Sequence, residues 1–278
     1  LGLGGKGYFV LDVTDPSSFA SATPSTVVLV DNTDASPKTL PANTTDPFDP
    51  DIGHMYSPPA QDSGNTAKVV QIAKLNNGRW AVLMGNGVNS KDEKAVLLIQ
   101  YLDGSRGLVK ITADSTVGGG NGLSSPMVID LNADDQADVV YAGDLKGNLW
   151  KFDLTSANET NWNVAYNSTP LYVALDSAGA RQPITTAPTW VNNPYGGLSL
   201  AFATGREMTS GDPASTSQQT IYAIWDNALI DLSGPTPAFS GGTAITNGRS
   251  ALVQRTQTQT VAGAGATFDQ RIRCAMEE

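Results

Sequence analysis

The sequence predicts an all-β protein of the β-propeller class, and three observations point there. Its 278 residues include 28 Gly and 16 Pro with abundant Thr, Ser, Asn and Asp, and helical periodicity is scarce. That mixture favours short strands joined by turns, as in a sandwich, a barrel or a propeller. Aromatic-containing strands that stop at Asp recur along the chain, and hairpin-type turns, Asn76-Asn77-Gly78 and Asp103-Gly104, separate apolar runs. The recurrence selects the propeller and excludes Rossmann and TIM arrangements.

Taken in order, Gly7-Tyr8-Phe9-Val10-Leu11-Asp12-Val13 can be laid on Asn148-Leu149-Trp150-Lys151-Phe152-Asp153-Leu154. Looser copies are Leu98-Ile99-Gln100-Tyr101-Leu102-Asp103 and Ile221-Tyr222-Ala223-Ile224-Trp225-Asp226. The terminal Asp of each can satisfy backbone donors in the turn that follows. Asp103 to Asp153 is 50 residues, one four-stranded blade, and Asp153 to Asp226 is 73, a blade with an insertion. Further strands are expected at 68–73, 80–84, 189–191 and 198–203. Thr33 to Pro50 and Ser233 to Gly248 have little to bury and read as surface loops. Gln254 to Val261 alternates, as a polar edge strand or a Gln/Thr-rich disordered segment would. The chain reads as one propeller domain over 1–278, with 228–278 supplying outer strands or loops.

The most informative chemistry lies in Asp130-Leu131-Asn132-Ala133-Asp134-Asp135-Gln136-Ala137-Asp138. Oxygen-bearing side chains fall at loop positions 1, 3, 5 and 9, and Gln136 at position 7 offers its backbone carbonyl. A tight loop wraps oxygen ligands around a hard cation, calcium above all, with that spacing. Two carboxylates about 4 Å apart repel by roughly 1–4 kcal/mol at effective dielectrics of about 80 to 20, and a divalent ion reverses the sign. An EF-hand is excluded, because position 12 is Tyr141 and both flanks, 126–129 and 139–142, read as strands. The expectation is a calcium loop closing a β-hairpin, with Asp138 as its last carboxylate. Position 6, usually Gly in such loops, is Asp135, so that turn is strained. The competing reading is an Asp- and Asn-rich solvated turn without an ion.

Net charge is −10, which argues against a nucleic-acid partner and suits an exported, cation-binding surface. The single cysteine, Cys274, excludes an intrachain disulfide framework and is expected to be inert. No stretch approaches the roughly 20 apolar residues that span a bilayer. The opening Leu1-Gly2-Leu3-Gly4-Gly5-Lys6-Gly7 runs straight into a strand, as the interior of a longer protein would. His54 is the only histidine and no Gly-x-Ser-x-Gly elbow accompanies it, so it is expected in a turn or between blades rather than in a triad. The glycines of 118–122 lead into Ser-Ser-Pro and a strand, not a helix, so they form a turn rather than a phosphate cradle. Trp80, Trp150, Trp162, Trp190 and Trp225 are expected as packing between blades.

Several of these segments resemble one family. Gly5 through Pro16, Asp51-Ile52-Gly53-His54-Met55-Tyr56-Ser57-Pro58, 73–82 and Gly85-Asn86-Gly87-Val88-Asn89-Ser90 carry part of the likeness. Its most distinctive part is Asn121-Gly122-Leu123-Ser124-Ser125-Pro126, the acidic loop, and 140–154, with Arg181 to Thr185 and Ile221 to Asp226 closing it. These are similar to the C-terminal β-propeller domain of PilY1-type proteins, factors of the bacterial type IV pilus tip. The resemblance spans residues 5 to about 227. It implies a modified, quinoprotein-like propeller at the bacterial cell surface or pilus tip, reached by export through the periplasm. It further implies Ca²⁺ held by Asp130, Asn132, Asp134, the Gln136 carbonyl and Asp138, and an influence of that ion on pilus extension against retraction. Implied partners are minor pilins or other tip components and a host or abiotic surface. The sequence departs from the family at Asp135 and at His54, and the large N-terminal adhesive region is absent. The resemblance also implies a stop before the family's usual final strand, so closure by another segment or chain, or unusual capping, is expected.

Three functions compete on this reading. The first is a non-enzymatic, calcium-dependent module of pilus assembly, twitching motility and adhesion. The second is a pyrroloquinoline-quinone-type dehydrogenase, suggested by the aromatic strand repeats but lacking vicinal cysteines and an assignable base. The third is a calcium-stabilised scaffold that binds its partners elsewhere.

Overall fold

The computed structural model describes residues 6–20, 23–33, 49–56, 60–61 and 68–255, and these form strands joined by turns with only single-turn helices. The first sheet pairs β1 (Phe9–Leu11) with β2 (Val28–Asp31). The second is a meander of β3 (Ile72–Leu75), β4 (Trp80–Gly85), β5 (Ala95–Tyr101) and β6 (Leu108–Asp114). In the next segment lie β7 (Met127–Ile129), β8 (Gln136–Ala137), β9 (Val139–Gly143), β10 (Asn148–Asp153), β11 (Asn163–Val164) and β12 (Tyr172–Val173). All but β8 build the third sheet, while β8 crosses to run parallel to β3. A fourth sheet holds β13 (Thr189–Asn192), β14 (Leu198–Ala203) and β15 (Ile221–Asp226), and β16 (Leu229–Asp231) pairs with β17 (Ala238–Ser240).

Alternate residues of the inner strands enter different cores, which explains why their sequences are apolar on both faces. From β5, Ala95, Leu97, Ile99 and Tyr101 join a core shared with Val140, Ala142, Trp150 and Phe152 of the third sheet. Val96 and Leu98 face the other way, toward Tyr8, Ile52 and Met55. On β9, Val139 and Tyr141 point to a third core completed by Leu198, Leu200, Phe202, Tyr222 and Ile224 of the fourth sheet. Sheets thus stack face to face like blades.

Polar residues at inner-strand positions are tied between sheets. The Tyr8 hydroxyl donates to Gln100 Oε1 at 2.6 Å. Lys151 and Asp226 are 2% and 1% exposed and form an ion pair at 2.8 Å. Asp226 also accepts the Tyr141 hydroxyl at 2.5 Å and the Tyr166 hydroxyl. Burial opposes its charge, yet the Lys151 ammonium and the two tyrosines hold its carboxyl below the usual range. Tyr166, Asn167 and Ser168 are consecutive left-handed residues, at φ 55°, 55° and 59°, and the Tyr166 contact anchors that strained turn. Asp144, fully buried between β9 and β10, accepts from Asn121, Asn148 and Trp150 side chains at 2.7–2.9 Å. Its other oxygen accepts the Lys146 and Asn148 N–H groups. The turn needs Gly147, at φ 76°, where a Cβ would lie 2.5 Å from the Gln182 carbonyl oxygen.

Most expected strands are present, with informative exceptions. The strand expected at 68–73 begins at Ile72, because the chain turns at Val70–Gln71 before pairing with β4. Ser233 to Gly248 is not wholly a loop, since Ala238–Ser240 pairs with β16 and sets Phe239 beside Lys151 at 3.8 Å. Asp12 and Asp153 each cap the following turn through a Thr N–H and hydroxyl, as expected. Asp103 instead reaches back to the Trp80 N–H and the Arg79 side chain. Trp150 and Trp162 pack between sheets, but Trp80 and Trp225 are 50% and 41% exposed and do not. Cys274 and most of Thr33 to Pro50 and Gln254 to Val261 lie outside the described residues.

The buried pair predicts an asymmetric mutational response. Asp226→Ala strands the Lys151 ammonium and is expected to remove about 3–5 kcal/mol of unfolding free energy in urea. Lys151→Met combined with Asp226→Leu should cost clearly less than Asp226→Ala alone, because no buried charge is left unpaired.

Candidate metal centre in the acidic hairpin loop

β7 and β9 pair antiparallel with Ile129 opposite Val139, so the nine residues between them close a hairpin. The loop is fixed at its far end as well. Gln136 and Ala137 lie parallel to Lys74 and Leu75 of β3, and the Leu154 N–H donates to the Asp138 carbonyl at 2.9 Å. Asn76, in the β3–β4 turn, donates its side-chain amide to the Ala137 and Leu154 carbonyls and to Asp138 Oδ1, at 3.0–3.1 Å. The sequence marked Asn76 only as a turn residue; its position one strand-end from the loop is a property of the fold.

Within the loop the carboxylates organise backbone donors. Asp130 accepts the N–H groups of Ala133, Asp134 and Asp135, and Asp134 accepts that of Gln136. Asn132 Oδ1 accepts the Asp134 N–H at 3.3 Å, and the Asn132 and Gln136 side-chain amides both reach Asp134 Oδ2. Asp138 is fully buried and accepts the Leu131 N–H at 2.8 Å. Burial pushes its carboxyl up to about 6; repulsion from Asp130 and Asp134 adds to this, against the Leu131 and Asn76 hydrogen bonds. Asp135 adopts φ 63° and Ala133 φ 61°, so the residue standing at the usual Gly position takes the left-handed conformation.

Among the described residues no three His, Cys, Asp or Glu side chains form a compact metal-binding group. The donor set nevertheless fits a hard cation in its chemistry. Asp130, Asn132, Asp134, Asp138 and the Gln136 carbonyl are all oxygen donors, and carboxylate oxygens that accept one N–H keep a second lone pair. Among the described residues no basic side chain forms a salt bridge with Asp130, Asp134 or Asp138.

Other singled-out residues have structural places. His54 exchanges backbone hydrogen bonds with Val88 and stacks on Tyr56, with ring centroids 6.0 Å apart. Gly118 and Gly120 are left-handed turn glycines ahead of a bridge at Leu123, and no helix follows them. No helix among the described residues is long and apolar enough to cross a membrane.

Face-to-face antiparallel sheets and an acidic hairpin loop between two of them define a β-propeller with a candidate cation loop. A profile of the PilY1 β-propeller domain matches residues 1–259, and the chain belongs to that family. It is 38% identical over 259 residues to the type IV pilus biogenesis factor PilY1 of Pseudomonas aeruginosa, a match covering 86% of this chain and 20% of that protein. A PilY1 homolog of Xylella fastidiosa is 33% identical over 247 residues, covering 84% and 15%. The chain therefore spans about a fifth or less of these curated relatives. The crystal structure of the P. aeruginosa PilY1 C-terminal domain superposes with a TM-score of 0.62 at 36% identity, covering 81% of this chain and 43% of that one. These relatives are named as biogenesis factors, not as enzymes.

Two outcomes follow from the loop. Asp135→Gly should raise stability by about 1 kcal/mol in chelator, seen as a higher urea midpoint, because Gly adopts the left-handed turn without strain. The folded Asp138 carboxyl holds its proton more tightly than the unfolded one, whose value is 3.8. The folded state therefore takes up a proton between about pH 6 and pH 4, and the unfavourable contribution of this group at pH 7 is relieved as pH falls through that window. In chelator, Asp138→Asn should shrink the gain in melting temperature between pH 7 and pH 5.

Proposed function

We propose that this chain is the calcium-binding propeller of a type IV pilus tip-associated protein. In this reading it supports pilus assembly, the balance of extension and retraction, and surface adhesion, outside the cell and in contact with minor pilins or other tip components. One observation carries the reading: four carboxylates share one hairpin loop that is fastened to the second sheet through Asn76 and to the third through Leu154. The family and its pilus-biogenesis relatives support the setting. Asp130, Asn132, Asp134, Asp138 and the Gln136 carbonyl would hold the ion, which supplies positive charge where the protein places mutual repulsion. Asn76 and the Leu131 N–H orient the Asp138 carboxylate, and β8 keeps the loop from folding away from β3.

Isothermal titration of the chelator-treated protein should show one calcium site, lost in the Asp130→Ala, Asp138→Ala double variant. Affinity should fall as pH drops below about 6, where Asp138 takes up its proton. In a bacterium whose full-length protein carries the double substitution, surface piliation and twitching should decline. Calcium binding that raises the melting temperature, with piliation unchanged in that strain, would mark the ion as a local brace and overturn the functional half of the proposal.

A further inference from the structure

Away from the acidic loop, a cavity of about 280 Å³ opens between the first sheet and β3–β4 of the second. Its walls are mostly apolar and include Tyr8, Met55, Met84 and Met208. Phe9, Leu11, Tyr56 and Ile72 stand at its edge with 40–51% of their surface exposed. A cavity of roughly 150 Å³ admits benzene, so this one accommodates about ten to twelve non-hydrogen atoms.

Among the described residues, two buried polar atoms of this lining have no hydrogen-bond partner, Gln71 Oε1 and His54 Nδ1. Gln71 is 6% exposed, and its Nε2 donates to the Pro126 carbonyl and the Ser125 hydroxyl, both at 3.2 Å. A backbone carbonyl can only accept, so the amide orientation is fixed and Oε1 is the atom left over. A buried acceptor without a donor costs free energy, and a donor on a bound guest offsets that cost as an ordered water would. Flexible thioethers beside aromatic walls suit a flat aromatic guest, since sulfur packs well against ring edges. The wall chemistry therefore asks for an aromatic body, and the leftover oxygen asks for a single N–H or O–H upon it.

We propose that this cleft binds a small aromatic molecule carrying one hydrogen-bond donor, of the phenol or indole type, whose donor is received by Gln71 Oε1. No residue of the acidic loop lines this cavity.

Ligand-observed and protein-observed NMR with p-cresol, indole and toluene tests this on the chain as it stands. Saturable binding of p-cresol and indole is expected, about tenfold tighter than toluene, which has the same body and no donor. Resonance shifts should map to Met55, Met84 and Met208 methyl groups. Gln71→Met should abolish the preference over toluene, and Met84→Trp, which fills the cavity, should abolish binding of all three. Equal affinity for p-cresol and toluene in the wild-type protein overturns the proposal without recourse to any variant. So does an absence of binding by all three probes, or binding of a tyrosine-centred tripeptide where p-cresol fails, which would identify a polypeptide occupant instead.

Discussion

The inner strands of this protein are covered on both faces, and that constraint governs almost everything else. A strand with one wet face may carry any polar residue at every second position; a strand between two cores has no such freedom. All seven residues of Ala95–Tyr101 are buried, as are the five of Val139–Gly143. The second and third sheets send alternate inner-strand residues to opposite cores, so a one-residue slip there exchanges the contents of two cores at once. Register is thereby fixed by packing from both sides.

Polar groups admitted to those positions have to find partners across the sheets, and their partners define where blades meet. Gln100 meets Tyr8, Asp138 meets Asn76, and Lys151 meets Asp226. Asp144 works within its own turn and gathers five donors, which fixes the Asn121 segment against the β9–β10 hairpin. The acidic loop inherits its placement from the same arrangement. Its stem is a buried hairpin, its last carboxylate is held by a neighbouring sheet, and its crown, from Ala133 to Asp135, is exposed.

Local features were legible in the sequence and distant ones were not. The hairpin stem and the left-handed turn at Asp135 follow from one short segment of the chain, and the structure places both as read. The partnership of Lys151 and Asp226 joins residues 75 apart, with only a lysine inside an apolar run as its sign. Asn76 reads as a turn former, which it is, yet its amide also grips Asp138 across 62 residues. Ala238–Ser240 was hidden because three residues between Gly- and Pro-rich flanks carry too little periodicity to mark a strand. Trp80 and Trp225 show the limit of composition: an aromatic in a repeat is expected inside, but whether a given strand position faces a core or solvent depends on which sheets stand beside it.

Lys151 has almost no surface of its own, since Asp226, Tyr141, Tyr166 and Phe239 enclose its ammonium. The peptide bond after it is therefore hidden from trypsin-like proteases while the third and fourth sheets stay together. Lys151 also lies inside β10, paired with Tyr141 of β9, so cleavage at that bond reports how often β10 leaves its own sheet, and a protease exposed to the folded protein acts as a clock for its interior rather than for its loops.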